Sequence, residues 1–254
     1  NIGLMPIEFI QRLTSAQRSP KTNIQLGAYM AFVAGAVNAG GFLAISRYTS
    51  HMSGIISAIG DDLALNDFIS VLGGISLLLS FLFGAATTAI IVNWGHRRKI
   101  HSEFALPLFL EAALLLVFGL VGANLNLYLP LTIPTIALLL CFVMGLQNAI
   151  VTKASKAEIR TTHMTGVITD IGIEVGKLIY WNKSTQANES GYVRANREKL
   201  KTHLFIFGMF LIGGIIGALS FKTVGYIAVI PLSLSLVLIA SLQIYRDIRA
   251  ALKQ

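Results

Sequence analysis

Long apolar runs, separated by short polar stretches, divide this chain. They predict six membrane-spanning helices at about 26–46, 69–93, 104–123, 131–152, 203–221 and 224–245. No Asp, Glu, Lys or Arg lies between Asp67 and Arg97, and only Glu111 lies between Glu103 and Lys153. Two further stretches, 49–60 and 161–172, are too polar and too short to cross a bilayer, yet too apolar for free loops. In the first, Ser50, Ser53, Gly54, Ser57 and Asp61 share one helical face, and Met52, Ile55, Ile56, Ile59 and Leu63 share the other. The second sets Thr162, Thr165, Gly166 and Thr169 against Met164, Val167, Ile168, Ile171 and Val175. Each is predicted to be a half-helix, with Thr49 or Ser50 and Thr161 or Thr162 as N-caps. Non-helical backbone at membrane depth is tolerated only beside protein or a water-filled cavity. The alternative is a pair of interfacial amphipathic helices that pack the bundle.

The two stretches are copies. TSHMSGIISAIG at 49–60 and TTHMTGVITDIG at 161–172 are identical at seven of twelve positions, and four more differ only as Ser/Thr or Ile/Val. FVAGAVNA at 32–39 precedes the first and FVMGLQNA at 142–149 the second, an offset of 110. The match continues at an offset of 124, where Phe81, Phe83 and Gly84 align with Phe205, Phe207 and Gly208, and Pro107, Leu108 and Leu110 with Pro231, Leu232 and Leu234. The repeating unit is therefore three spans, 26–123 and then 131–245, each with one broken or re-entrant half-helix carrying T-[ST]-H-M-[ST]-G. Three is odd, so the second unit enters the membrane from the opposite side, and the repeats have inverted topology. The expected fold is an all-α integral membrane protein of six spans in two inverted three-helix repeats. A substrate site at the interface of such halves is the usual arrangement in transporters.

Charge orients the chain. Of its 20 Lys and Arg, all but Arg47 and Lys222 fall on one side of the six-span arrangement, which places both termini in the cytoplasm. The tails are 1–25 and 246–254, and IEFIQRL at 7–13 reads as a short amphipathic lead-in. An eight-span alternative would put Arg97, Arg98 and Lys99 outside and force Asp170, Glu174 and Lys177 through lipid, at a few kcal/mol per charge. The net charge of +8 thus reflects loop distribution rather than a nucleic-acid partner. Hydrophobic residues make up 54% of the chain and charged ones 13%, against about a quarter charged in a soluble domain. The single cysteine, Cys141, excludes an intramolecular disulfide, and the first 24 residues lack the apolar core of a signal peptide. Residues 182–201 read as a hydrophilic connector.

An AGAVNAGGF-like first helix with SHMSG, followed by MGLQNA with THMTG, resembles the YoaK-like family of bacterial multi-pass membrane proteins, a domain of unknown function. The resemblance covers roughly 26–245 and implies a bacterial inner-membrane protein. In that family the position of Asn38 is often acidic, so Asn38 is a neutral departure that weakens proton coupling there.

Candidate binding residues are Asn38, Thr49, His51, Ser53, Gly54, Gln147, Asn148, Thr161, His163, Thr165 and Gly166. Each has a structural alternative. His51 and His163 would bind a ligand or titrate near neutral pH, or bond backbone at the helix break. Asn38, Gln147 and Asn148 would coordinate solute or serve as interhelical glue. Candidate coupling groups are Glu111, Asp62, Asp170 and Glu174; an intramembrane carboxylate such as Glu111 is a functional candidate, though snorkelling to a basic loop is an alternative, and the alternative for the other three is that they are solvated surface acids. Gly213 with Gly217, and Gly119 with Ala123, mark close packing within or between subunits. No metal, cofactor, Walker loop, dinucleotide fingerprint or nucleophile elbow is indicated. The reading is a secondary transporter or facilitator of a small polar solute, with anions favoured by helix-end polarity. The bilayer and a solute are its expected partners, and a homo-oligomer is left open. Rival readings are a passive channel, a membrane-embedded enzyme using His51, His163 and Asp170, and a structural or sensory protein.

Overall fold

The computed structural model describes residues 19–45, 48–100, 102–123, 129–157, 159–182 and 192–251. The expected lead-in at 7–13 and residues 183–191 of the connector lie outside them. The described residues form α1 (Pro20–Ile45), α2 (Met52–Ala64), α3 (Phe68–Arg97), α4 (Ala105–Ala123), α5 (Leu129–Ala154), α6 (Met164–Ile179), α7 (Arg197–Val224), a 3₁₀ turn (Gly225–Ala228) and α8 (Val229–Ala251). Five helical segments are long and apolar enough to cross a bilayer: Pro20–Leu43, Phe68–Arg97, Ala105–Ala123, Thr132–Ala154 and Arg197–Ser241. The last is 45 residues long. Straight, it would measure roughly 68 Å, more than twice the hydrocarbon thickness. It is broken at Gly225, whose φ of 66° is in the left-handed region that favours glycine. Beyond that turn the chain reverses, since Phe221 lies against Gly40 whereas Ser235 bonds Tyr29, three turns back along α1.

Caps carry several helices past their apolar runs. Pro20 opens α1 six residues before the expected start, behind Ser19, whose Oγ accepts from the Thr22 N–H at 3.2 Å. Asn196 caps α7 by accepting from the Lys199 N–H at 3.0 Å, so Arg197–Lys201, expected in the connector, are helical. Asn182 pairs with the backbone of Val193 through both amide atoms and closes the described part of that connector.

The core centres on α1 and α5. Residues 31–40 and 141–150 show the same order of buried and half-buried positions, residue for residue. These helices run in opposite directions: Gly41 lies by Leu140, and the Gln147 side chain donates to the Met30 carbonyl at 3.0 Å. Each packs most closely on a helix from the other half of the sequence. A Cβ on Gly35 would overlap the carbonyl oxygen of Phe210, and one on Gly213 that of Phe32, so α1 and α7 touch backbone to backbone; Gly213 at Phe32, Gly217 at Ala36 and Phe221 at Gly40 show that they run in parallel. Gly145 and Gly84 do the same against Phe81 and Phe142 in the α5–α3 pair. There Ser80 and Thr88 donate to the carbonyls of Leu138 and Leu146, again in parallel order. α4 and α8 are antiparallel, with Gly122 at Tyr226 and Ser233 donating to the Ala112 carbonyl at 2.7 Å.

These contacts correct one sequence match. Phe81 and Gly84 occupy the places that Phe210 and Gly213 occupy in the other pair, an offset of 129. The 124 match had aligned them with Phe205 and Gly208, and a Cβ on Gly208 would meet nothing within 4 Å. Gly213, Gly217 and Gly119 all pack within the chain, on Phe32, Ala36 and Val229. Large apolar side chains such as Ile69, Ile90, Leu120 and Leu219 are exposed, as lipid-facing residues would be.

Candidate functional site

Each half-helix begins at a histidine. His51 (φ −95°, ψ 70°) is the N-cap of α2, and His163 (φ −84°, ψ 61°) the N-cap of α6. The expected Ser and Thr caps are not the ones used. Neither imidazole accepts a hydrogen bond from its helix; each ring instead lies beside the glycine of the first turn. A Cβ on Gly54 would come within 2.6 Å of His51 Nδ1, and one on Gly166 would collide with the His163 ring. The motif's glycine therefore makes room for its histidine. The opening N–H groups of each helix have no intrahelical partner, which leaves a positive helix end beside the histidine.

The two helix starts meet at one cavity of about 780 Å³. It is lined in matched pairs: Asn38 and Asn148, Ser50 and Thr162, His51 and His163, Met52 and Met164, Ser53 and Thr165, Phe81 and Phe210; Tyr48 and Ile56 complete it. The volume suits a small molecule. The two amides differ. Asn38 Oδ1 accepts from the Ser50 hydroxyl at 3.1 Å and its N–H at 3.4 Å, whereas the buried Asn148 Oδ1 has no hydrogen-bond partner among the described residues.

The other candidates fall elsewhere. Thr49 and Thr161 are buried, do not line the cavity, and hold hydroxyls with no partner among the described residues. Gly54 and Gly166 seat the imidazoles. Gln147 is buried and joins α5 to α1, the glue role, with its Oε1 unpartnered among the described residues. Glu111 is fully buried in α4, both carboxyl oxygens likewise unpartnered, and is not among the residues that line the cavity. Asp62 is half-exposed on α2. Glu174, its counterpart, accepts from Lys177 Nζ at 2.9 Å and from the Asn196 N–H at 2.6 Å; those two bonds, Lys177 first, hold its carboxyl below the usual range. Asp170 pairs with Lys199 Nζ at 3.0 Å and His203 Nε2 at 3.3 Å. The Lys199 bond leads in lowering its pKa, with the charges of Lys199, His203 and Arg160 adding.

Sequence reasoning missed Phe81 and Phe210, which only the 129 offset pairs, and the cluster of Arg160, Lys199 and His203. That cluster faces a second cavity of about 550 Å³, which His163, Gly166 and Asp170 also line. Lys199 and His203, four apart on a helix, were the available signal. Among the described residues no three His, Cys, Asp or Glu side chains are grouped to hold a metal ion.

Apolar helices long enough to cross a bilayer and exposed apolar flanks define a multi-pass membrane protein. The chain belongs to the family described as Protein of unknown function (DUF1275), whose model matches residues 26–242. It is 23% identical over 155 residues to the UPF0700 transmembrane protein YoaK of Bacillus subtilis (strain 168), covering 61% of this chain and 68% of that one. No solved structure matches the chain.

Proposed function

We propose that this protein is a secondary transporter or facilitator of a small polar, anionic solute, working by alternating access between two inverted repeats. The observation that carries the reading is the paired lining of the central cavity, where six residues of one half of the sequence face their six counterparts of the other, Tyr48 and Ile56 being additional. A site built equally from two related halves can be opened to either side by equivalent motions. The opposed directions of α1 and α5, and the matching parallel pairs α1–α7 and α3–α5, support the inverted relation. The one-sided distribution of basic residues supports cytoplasmic termini in a bacterial inner membrane. Asn38, His51, Ser53, Asn148, His163 and Thr165 are the proposed solute contacts, with Thr49, Thr161, Gly54 and Gly166 shaping the helix starts. Glu111 is the proposed coupling group, because an intramembrane carboxyl is a functional candidate and, unlike those of Asp170 and Glu174, its oxygens have no hydrogen-bond partner among the described residues.

Counterflow in proteoliposomes tests the reading, after a thermal-stabilisation screen of small carboxylates, phosphate, sulfate and zwitterions. The expected result is saturable exchange of one solute class, with at least a tenfold loss in the double variant His51→Ala/His163→Ala. Non-saturable flux would make the protein a channel, and chemical conversion of the solute an enzyme. Wild-type exchange by the double variant would remove the central cavity from the pathway.

A further inference from the structure

The second cavity lies where the link between α5 and α6, the start of α6 and the capped start of α7 converge. Three cationic or potentially cationic side chains, Arg160, Lys199 and His203, reach it from two separate segments. One acid, Asp170, faces them and bridges Lys199 and His203. His203 Nδ1 lies 2.8 Å from the Lys199 carbonyl while Nε2 faces Asp170, so both ring nitrogens face acceptors. Arg160 Nη1 lies 3.4 Å from His163 Nδ1. His163 lines this cavity and the central one, and so stands between them.

We propose that this vestibule is an oxyanion-binding site leading to the central cavity, and that Asp170 occupies it as an internal stand-in which an incoming anion displaces from Lys199 and His203. The carboxylate already has the shape and charge of the group it represents, and its two partners would accept a carboxylate, phosphate or sulfate in the same geometry. Arg160 supplies the charge by which a free anion outcompetes the tethered one, and lies against His163, the next contact inward. The proposal deepens the transport reading and rests on it for the vestibule's role as an antechamber; the binding itself does not depend on transport.

The test uses the full chain in lipid nanodiscs, with sulfate, inorganic phosphate and acetate titrated against chloride at constant ionic strength and thermal stabilisation as the readout. Asp170→Asn should tighten apparent affinity for the responding anion by about threefold or more, the scale of freeing a partly exposed ion pair. Lys199→Gln and Arg160→Gln should weaken it by a similar factor, while Lys222→Gln, exposed at the other end of α7, leaves it unchanged. Discs of phosphatidylcholine and of phosphatidylglycerol separate the two sources of the oxyanion. A response that survives in phosphatidylglycerol identifies a free solute, and one competed away there a lipid headgroup. If Asp170→Asn only lowers the melting temperature and all variants respond to anions alike, Asp170 is a clamp between α6 and α7 and the proposal fails. Anion binding without counterflow would overturn the transport reading and leave this one standing. Counterflow with no effect of the vestibule variants would do the reverse.

Discussion

Replacing Gly213 by alanine asks whether the α1–α7 seam is as close as its geometry indicates. The added Cβ would overlap the Phe32 carbonyl oxygen and lie 2.8 Å from the carbonyl carbon and Cα of the same residue. All three obstacles are backbone, so no side chain can swing aside and the helices must part by about 1 Å. A gap of that size forfeits roughly a quarter to a half of the dispersion attraction locally. Overpacking of this kind costs about 1–3 kcal/mol. The gain in helix propensity from glycine to alanine, at most about 1 kcal/mol, offsets part of it. Gly213→Ala should therefore destabilise by about 1–2 kcal/mol in SDS titration followed by circular dichroism. Gly208→Ala, five residues earlier and with nothing within 4 Å of the new Cβ, should be neutral or stabilising by up to about 1 kcal/mol. Equal losses at both positions, or a neutral Gly213→Ala, would refute the close seam and the offset of 129 with it.

Two further outcomes are expected. Asp67, Asp170 and Glu174 all have folded pKa values below their ordinary ones, so the stability they contribute is whole above the unfolded values of 3.8 and 4.5 and is lost as pH falls through the lower folded ones. Melting temperature should drop as pH falls below about 4, with a shallower drop in Glu174→Gln; an unchanged profile would count against the Lys177 and Asn196 bonds as its cause. In a Cys141→Ser background, Leu65→Cys should react with an impermeant thiol reagent from outside the cell and Lys201→Cys only from the cytoplasm. Labelling of both from one side would end the inverted-repeat reading.

Much of the fold was legible because lipid leaves its mark directly on hydrophobicity. The apolar runs located every long helix, and the mixed faces of the twelve-residue copies gave the half-helices. Helix ends were less legible, since Ser19 and Asn196 extend α1 and α7 into polar sequence that a hydrophobic pattern reads as loop. Register between α3 and α7 was misread for a different reason. Phe-Leu-Phe-Gly and Phe-Ile-Phe-Gly look alike, but position is set by which glycine must meet a carbonyl, and that appears only in three dimensions. In the site, His51, His163 and the asparagines converge as their repetition suggested. Thr49, Thr161 and Gln147 are equally polar and repeat-associated or adjacent, yet they point into packing. Polarity in a span says that a partner is needed without saying whether it is a solute or another helix.

The exchange of partners between halves has a consequence for how the protein is made. α1 and α3 emerge from the ribosome long before α7 and α5, against which their glycine faces close. Until Phe210 has been synthesised, Gly35 has no carbonyl to meet, and the first half sits in the bilayer with its tightest seam covered only by lipid or by the insertion machinery. The nascent chain thus has no stopping point at its midpoint: a ribosome stalled near residue 130 holds helices still waiting for their neighbours.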